Sequence, residues 1–123
     1  MNTQTIEHKV FEKIDYSDDK FLDFEFLNCE FKNCEFSRCD LRETDFIDCK
    51  FTGCNFSMAK LKETGLKNVQ FTDCKLIGLD FSVCNDFLFT VNFNNCYLDY
   101  TTFYKKKMKK TSFEKCSIKE ADF

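Results

Sequence analysis

Hydrophobic residues recur at every fifth position of this chain. From residue 21 to residue 81 this register is filled only by Phe or Leu: Phe21, Phe26, Phe31, Phe36, Leu41, Phe46, Phe51, Phe56, Leu61, Leu66, Phe71, Leu76 and Phe81. The same spacing extends back to Tyr16, Phe11 and Ile6. An α-helix repeats every 3.6 residues and a strand every two, so a period of five indicates a repeat architecture instead.

A second periodic position lies two residues before each of these. All nine cysteines occupy it: Cys29, Cys34, Cys39, Cys49, Cys54, Cys74, Cys84, Cys96 and Cys116. Thr, Ala and Val fill most of the others. Cysteine is a small and readily buried side chain, so we predict that it serves here in packing and that its thiols are inert.

The register breaks once, in the segment "SVCNDFLFTV". Asp86 stands where an apolar residue is expected, and the count resumes at Leu88. This shift predicts that Leu88 points inward while Phe87 and Phe89 point outward. The two phenylalanines then either anchor a partner or fold back as a bulge onto the stems of Lys67 or Lys109.

The repeated unit resembles the pentapeptide repeat, A(D/N)LXX, across about residues 6–123. Register, the alternation of small and large positions, and Asp or Asn before the central residue ("CDL", "TDF", "CNF") all agree. The resemblance implies an all-β fold, a right-handed quadrilateral parallel β-helix of about five coils in a single domain spanning 1–123, with one register break near residues 82–89. Twenty residues per coil would stack the core in columns: Phe31, Phe51 and Phe71; Phe36 and Phe56; Cys29 and Cys49; Cys34, Cys54 and Cys74.

Both ends of the repeat leave alternatives open. Residues 1–15 fit a partial first coil or a short helical cap, and we favour the coil. No segment resembling the C-terminal cap of this family follows "SIKEADF". The sequence therefore predicts a truncated chain or end-to-end association, and a homodimer only if a C-terminal segment or end-to-end stacking supplies the interface.

Charge is distributed unevenly along the chain. The net charge is −3, but residues 1–60 carry eight Lys or Arg against thirteen Asp or Glu, whereas residues 105–123 carry seven Lys against three. The register sends Lys106 inward, where a bare ammonium is costly, so we predict a local distortion there. The N-terminus has no export signal and no apolar run is long enough to span a bilayer, which favours a cytoplasmic location with reduced thiols.

The residues needed for catalysis are absent from the sequence. His8 is the sole histidine, and there is no GxSxG, HExxH or glycine-rich phosphate loop. The CxxxxC spacing does not suit a tetrahedral metal site, and parallel Cβ directions do not suit disulfides. We predict no catalytic residue, no cofactor and no metal, hence no enzyme.

The resemblance extends to a function, because Qnr-type quinolone-resistance members of this family are rods that imitate duplex DNA and bind DNA gyrase or topoisomerase IV. This implies a protein partner, without direct binding to nucleic acid or membrane. Candidate contact residues are the aromatic set Phe87, Phe89, Tyr97, Tyr100 and Tyr104 and the acidic column Asp23, Glu43 and Glu63. The alternative is a structural or generic interaction rod with an unrelated protein partner.

Overall fold

The chain winds into a four-sided solenoid built from short parallel strands. The structure, a computed structural model, describes residues 3–123. Its strands are β1 Gln4–Glu7, β2 Val10–Glu12, β3 Phe24–Leu27, β4 Glu30–Lys32, β5 Asp45–Ile47, β6 Lys50–Thr52, β7 Gly65–Lys67, β8 Val69–Thr72, β9 Val91–Asn94 and β10 Phe113–Glu114. Within the described residues the sole helical element is a 3-10 turn, Phe81–Val83.

Four faces follow one another around each turn. Face 1 is the sheet β1-β3-β5-β7, and face 2 is the sheet β2-β4-β6-β8-β9-β10. Faces 3 and 4 are held by isolated parallel bridges, such as Glu35 with Asn55 on face 3 and Asp40 with Lys60 on face 4. Face 2 has six strands, so the solenoid has about six turns, one more than the sequence predicts.

The strand register confirms the predicted stacking. Phe31 lies opposite Phe51, and Phe51 opposite Phe71. Outward residues stack in the same way: Glu30 on Lys50, Glu35 on Asn55 on Lys75, and Asp40 between Lys20 and Lys60. A period of twenty residues per turn therefore determines which side chains are neighbours along the axis.

Left-handed backbone conformations form the corners between faces. In nearly every unit, the residue two positions after the large inward Phe or Leu has a positive φ. Examples are Asn28 at 52°, Asp48 at 54° and Gly53 at 65°. Asn, Asp and Gly tolerate this region better than other residues, which explains their abundance in the polar half of the unit. The side-chain amide of Asn33 also occupies the space that a Cβ atom at residue 53 would need, so a side chain there would require Asn33 to move.

Stacked phenyl rings fill the interior. On face 2 a column of six rings runs through the molecule, with centroids 4.9 to 5.4 Å apart: Phe11, Phe31, Phe51, Phe71, Phe93 and Phe113. Rings on adjoining faces meet edge to face, as Phe31 and Phe36 do. Each buried ring or leucine contributes roughly 1.5–3 kcal/mol, which makes stacking the main source of stability.

Cysteine and threonine at the small inward position also donate hydrogen bonds to the preceding turn. The thiol of Cys49 donates to the carbonyl of Phe26 at 3.3 Å, and the hydroxyl of Thr64 donates to the carbonyl of Leu41 at 2.6 Å. Both residue types thus combine small size with a donor for a buried carbonyl. The packing of these residues was predictable from the sequence, whereas their hydrogen bond was not predicted. The alternation of Cys with Thr at this position is its signal in the sequence.

The N-terminal residues form the first turn. β1 pairs with β3 and β2 pairs with β4, both in parallel. Residues 4–12 are therefore strand, as favoured, rather than helix. Their central residues Ile6 and Phe11 are half-buried because only one neighbouring turn covers them.

Candidate interaction surfaces

The loop at residues 85–90 interrupts face 1. Asn85 N–H donates to the Thr64 carbonyl and Thr90 N–H donates to the Leu66 carbonyl, both at 2.9 Å, so the extra residues project between two fixed points. Leu88 has φ 55° and is 63% exposed. The prediction that Leu88 points inward is wrong, because the insertion places it at a corner instead.

The two phenylalanines of the loop differ in their surroundings. Phe87 is 66% exposed, and its ring lies 5.5 Å from the Nζ of Lys67. Phe89 is half-buried against the core, with the Nζ of Lys106 lying 4.9 Å from its ring centre. The position of Phe87 beside Lys67 agrees with the predicted bulge. The prediction that Phe89 points outward is wrong, and its lysine partner is Lys106 rather than Lys109. Phe89 is consequently a packing residue, and Phe87 remains available at the surface.

Lys106 occupies the small inward position of the last turn. Its side chain is only 2% exposed, and its Nζ donates to the carbonyl of Cys84 at 2.6 Å and to the carboxylate of Asp86. Hydrogen bonding to Lys106 lowers the pKa of Asp86. No strand forms at residues 105–110, in agreement with the distortion predicted there. The inserted loop thereby supplies the carboxylate, and the residue just before it the carbonyl, that accept from a buried ammonium.

Exposed aromatic side chains are concentrated in the fifth turn. Besides Phe87 and Leu88, three tyrosines are more than half exposed, namely Tyr97, Tyr100 and Tyr104. Tyr97 bridges Lys75 and Ser117 on face 3, whereas Tyr100 and Tyr104 follow at later corners. These residues surround the rod rather than form a single patch, so one partner surface can contact only part of the set.

An acidic column follows the corner before face 1. Asp23, Glu43 and Glu63 recur at twenty-residue spacing with φ values of 65°, 57° and 59°. In residues 3–123 none of the three has a lysine or arginine within ion-pairing distance. The nearby Arg42 instead pairs with Asp40 at 2.7 Å, which lowers the pKa of Asp40 to about 2. Arg42 is thus held by Asp40 rather than by a carboxylate of the column.

Buried thiols form an interior column that is longer than the sequence suggested. Cys96 and Cys116 continue the column of Cys34, Cys54 and Cys74, because Tyr97 stacks on Lys75 and Ser117 on Tyr97. The two-residue insertion hid this continuation in the sequence. All nine cysteines are free, and Cys116 alone is not fully buried.

Burial suppresses the ionisation of several thiols in the interior. Desolvation raises the pKa of Cys39, Cys49 and Cys84 to about 12. Hydrogen bonding with Cys54 and Cys96, together with burial, raises the pKa of Cys74. Since the thiolate is the nucleophile and metal ligand, these cysteines are chemically quiet in the folded protein.

Features of other site types are missing from the part of the chain that the structure describes. Residues 3–123 hold no group of three or more His, Cys, Asp or Glu side chains arranged for a metal. Among the same residues, no helix has the length and hydrophobicity required to cross a bilayer. The remaining candidates are the outer surfaces: the loop, the tyrosines, the acidic column and the lysines of residues 105–110.

Comparison with solved structures finds the same architecture. HetL, a pentapeptide repeat protein involved in heterocyst differentiation regulation from the cyanobacterium Nostoc sp. strain PCC 7120, is 14% identical, with a TM-score of 0.62 over 99% of this chain and 58% of that one. Full-length QnrB1, a plasmid-mediated fluoroquinolone resistance protein, is 20% identical, with a TM-score of 0.49 over 94% and 59%. A trypsin-treated QnrB1 variant is 23% identical, with a TM-score of 0.44 over 95% and 54%.

The similarity to HetL supports the fold and not a particular activity. The chain spans only 54% to 59% of the length of these three proteins. A search of curated proteins by sequence gave no significant match. The family model for the pentapeptide repeat region matches residues 20–85, more than half of the chain. Together with the five-residue register and the four-faced solenoid, this match shows that the chain belongs to the pentapeptide repeat family.

Proposed function

We propose that the protein is a non-catalytic interaction module that binds another protein through its outer surface. The interior is filled by stacked rings and thiols, which leaves the exterior as the place for contacts. As its partner we propose a type II topoisomerase, DNA gyrase or topoisomerase IV, with the rod occupying a surface that otherwise receives duplex DNA. The nine free cysteines suit the reducing cytoplasm, where we place this activity.

The observation that carries this proposal is the acidic column. Asp23, Glu43 and Glu63 present unpaired carboxylates on successive turns, and Glu25 adds another beside them on face 1. Successive turns lie about 4.8 Å apart, so the carboxylates form a closely spaced negative row. A DNA-binding surface is rich in Lys and Arg, and such a row offers it charges in place of phosphates.

The charge density of the chain restricts the proposed contact with a DNA-binding surface to the N-terminal half. Duplex DNA carries one charge per about 1.7 Å, hence about eight over the roughly 14 Å of three turns. Residues 1–60 have a net charge of −5. The whole chain carries only −3, against about seventeen for DNA of the same length, roughly 29 Å. Residues 105–123, with net +4, therefore lie outside the DNA-binding surface in this arrangement.

A second candidate is an unrelated protein partner bound through the fifth turn. Phe87, Tyr97, Tyr100 and Tyr104 are 54% to 66% exposed and have no role in the core. Aromatic residues of this kind are enriched among those that dominate binding energy at interfaces. Because they lie on different faces, this reading predicts that one or two of them, rather than all four, matter for a given partner.

A supercoiling assay in the presence of a fluoroquinolone separates the two candidates. The wild-type protein should inhibit gyrase or protect it from the drug, and this effect should weaken as salt screens the carboxylates. The variant D23N/E43Q/E63Q should lose at least about tenfold in potency, since charge complementarity supplies the binding. The matched control E12Q/E114Q/E120Q changes the net charge equally at exposed positions off the column and should act like the wild type.

The outcomes distinguish the candidates. No effect of the wild-type protein at saturating concentration overturns the topoisomerase proposal. An effect that survives neutralisation of the column but is lost in Phe87→Ser or Tyr104→Ser supports contact through the fifth turn instead.

A further inference from the structure

Lysine is concentrated on one part of the outer surface. We define the basic surface as face 1 and its two flanking corners in the last three turns, that is, residues 63–68, 83–90 and 105–110. It carries two carboxylates, Glu63 and Asp86, and six lysines: Lys67, Lys105, Lys106, Lys107, Lys109 and Lys110. Six lysines against two carboxylates give the basic surface a net charge of +4.

The same positions in the first three turns are acidic. Residues 3–8, 23–28 and 43–48 hold six carboxylates and neither lysine nor arginine. Asp45 and Lys67 pair at 3.7 Å where the two regions meet. The basic surface is thus a confined area rather than a stripe along the whole rod.

Most lysines of the basic surface have no ion-pair partner. Lys106 is buried, with Asp86 as its counter-ion. The other carboxylate, Glu63, accepts a hydrogen bond from the side-chain amide of Asn85 at 3.0 Å. In residues 3–123 no carboxylate lies within ion-pairing distance of the four exposed lysines of the last turn, Lys105, Lys107, Lys109 and Lys110. These four ammonium groups can therefore pair with carboxylates of a partner.

Two exposed apolar side chains lie among the lysines. Phe87 and Leu88 are 66% and 63% exposed, and the Nζ of Lys67 lies 5.5 Å from the ring centre of Phe87. By the five-residue register, Phe87 occupies the same place in its unit as Lys67 one turn before and Lys109 one turn after. An exposed apolar pair next to unpaired charge is typical of an interaction site.

The loop that carries the apolar pair is held in shape by its own hydrogen bonds. The backbone N–H of Phe87 donates to the Oδ1 of Asn85 at 2.9 Å, and the ammonium of Lys106 donates to the carboxylate of Asp86. A loop that is fixed in advance loses little conformational entropy when a partner binds.

We propose that the basic surface is a docking site for a short acidic segment of another protein, one with aromatic or aliphatic side chains between its carboxylates. The carboxylates pair with the exposed ammonium groups, and the apolar side chains pack on Phe87 and Leu88. Lysine is a point charge on a flexible stem and can meet carboxylates in varied positions. This inference deepens the second candidate function, since it names the chemistry of the unrelated partner, and it does not depend on the topoisomerase proposal.

The dimensions of the basic surface favour a short protein segment over other anionic partners. Three turns extend over about 10 Å along the axis, and a five-residue side spans at most about 17 Å. A lipid surface or a duplex is wider than this and also lies against the acidic positions of the first three turns, where like charges repel. A single strand of nucleic acid is narrow enough, but Leu88 offers no ring on which a base stacks.

Selection from displayed peptides of random sequence tests the chemistry of the partner. Peptides enriched on the immobilised full chain should contain at least about three Asp or Glu interspersed with apolar residues, because both the lysines and the apolar pair contribute to binding. Fluorescence anisotropy of an enriched, labelled peptide then measures its dissociation constant. Binding should weaken as salt screens the charges.

The variants K107E/K109E and Phe87→Ser should each raise this dissociation constant at least about tenfold. K107Q/K109Q, which removes the charges without reversing them, should have a smaller effect in the same direction. The control K115E/K119E makes the same charge change at two exposed lysines outside the basic surface and should bind like the wild type. Circular dichroism verifies that each variant is folded.

Three results overturn the inference. The first is enrichment of peptides without acidic residues, or binding that persists in K107E/K109E. The second is binding that is lost in Tyr97→Ser but retained in K107E/K109E and Phe87→Ser, which leaves the second candidate function standing. The third is tighter binding, through the same lysines, of a labelled oligothymidylate or of vesicles containing phosphatidylserine than of the best peptide, which identifies the partner as nucleic acid or lipid.

Discussion

The carboxylate of Asp86 lies over the buried ammonium of Lys106, one turn further along the chain. The Lys106 side chain is 2% exposed while that of Asp86 is 89% exposed, so a carboxylate at the surface is the counter-ion of a buried ammonium. The two residues come from the two irregular segments of face 1, the loop at 85–90 and the residues 105–110. The insertion and the inward lysine are thus one feature: the extra residues provide the counter-ion that the lysine requires.

This pairing predicts unequal effects of removing its two members. Asp86→Asn replaces the carboxylate beside the buried ammonium of Lys106 with a neutral amide, which leaves the charge with uncharged partners, and should lower the urea midpoint of unfolding. Lys106→Met removes the buried charge and leaves Asp86 free in water, so its effect should be smaller. The double variant should have a urea midpoint of unfolding similar to that of Lys106→Met. A larger loss for Lys106→Met than for Asp86→Asn would show that the packing of the lysine stem, not its charge, matters.

The ring column on face 2 should dominate stability. Phe51→Ala removes the ring between Phe31 and Phe71 and should lower the free energy of unfolding by about 3–5 kcal/mol, because the rigid stack cannot collapse into the cavity. Tyr97→Ala, at an exposed position, should change it by less than about 0.5 kcal/mol. Urea unfolding followed by circular dichroism gives both values. Equal effects of the two substitutions would contradict the central role of the column.

Thiol labelling should be ordered by burial. Cys116 is the one cysteine with appreciable exposure, so it should react first with an aromatic disulfide reagent in the native protein. The eight others should react only as the solenoid opens, because their thiols are buried and shielded from the reagent. Mass spectrometry after timed labelling identifies the sites, and Cys116→Ser should abolish the early phase. Early modification of Cys49 would contradict the arrangement of the interior.

Stability should decrease in alkaline solution. The pKa values of Cys39, Cys49 and Cys84 are raised to about 12 in the folded chain from an ordinary value of 9.0. Above pH 9 the unfolded chain therefore releases thiol protons that the folded chain retains. Unfolding is consequently favoured progressively between pH 9 and about 12, and this contribution vanishes below pH 9. Denaturation midpoints measured across this pH range test the prediction. The midpoint of Cys39→Ala/Cys49→Ala should decline less steeply with pH than that of the wild type.

The sequence predicted the regular part of the solenoid because one interaction dominates there. A central Phe such as Phe51 and a small residue such as Cys54 can be buried together only if every fifth residue faces inward, so the register determines the fold. The stacking of outward residues, Glu30 on Lys50 for example, follows from twenty residues per turn without further information.

The irregular part was harder to predict, since it depends on contacts between turns. Hydrophobicity alone assigned Leu88 to the interior, yet the backbone continues its corner geometry through Asp86 and leaves Leu88 outside. The distortion at Lys106 was predictable from a charge at an inward position. The partner of Lys106 was not predictable, because nothing in the local sequence connects this lysine with a carboxylate twenty residues earlier.

The acidic column was visible in the sequence as three carboxylates at twenty-residue intervals. The lack of ion pairs along the column was not visible in the sequence, because Arg42 and Lys62 are adjacent in sequence to Glu43 and Glu63. The structure resolves this by placing Arg42 on Asp40. Geometry, rather than sequence proximity, thus decides which carboxylates can face a partner.

Displacement of fluorescent duplex DNA from purified gyrase tests the proposed function most directly. The wild-type rod should displace the duplex in a concentration-dependent manner at low salt and lose this ability as salt increases. D23N/E43Q/E63Q should displace it at least about tenfold less well, while E12Q/E114Q/E120Q should match the wild type. Full retention of the duplex at saturating wild-type protein and low salt would contradict the account.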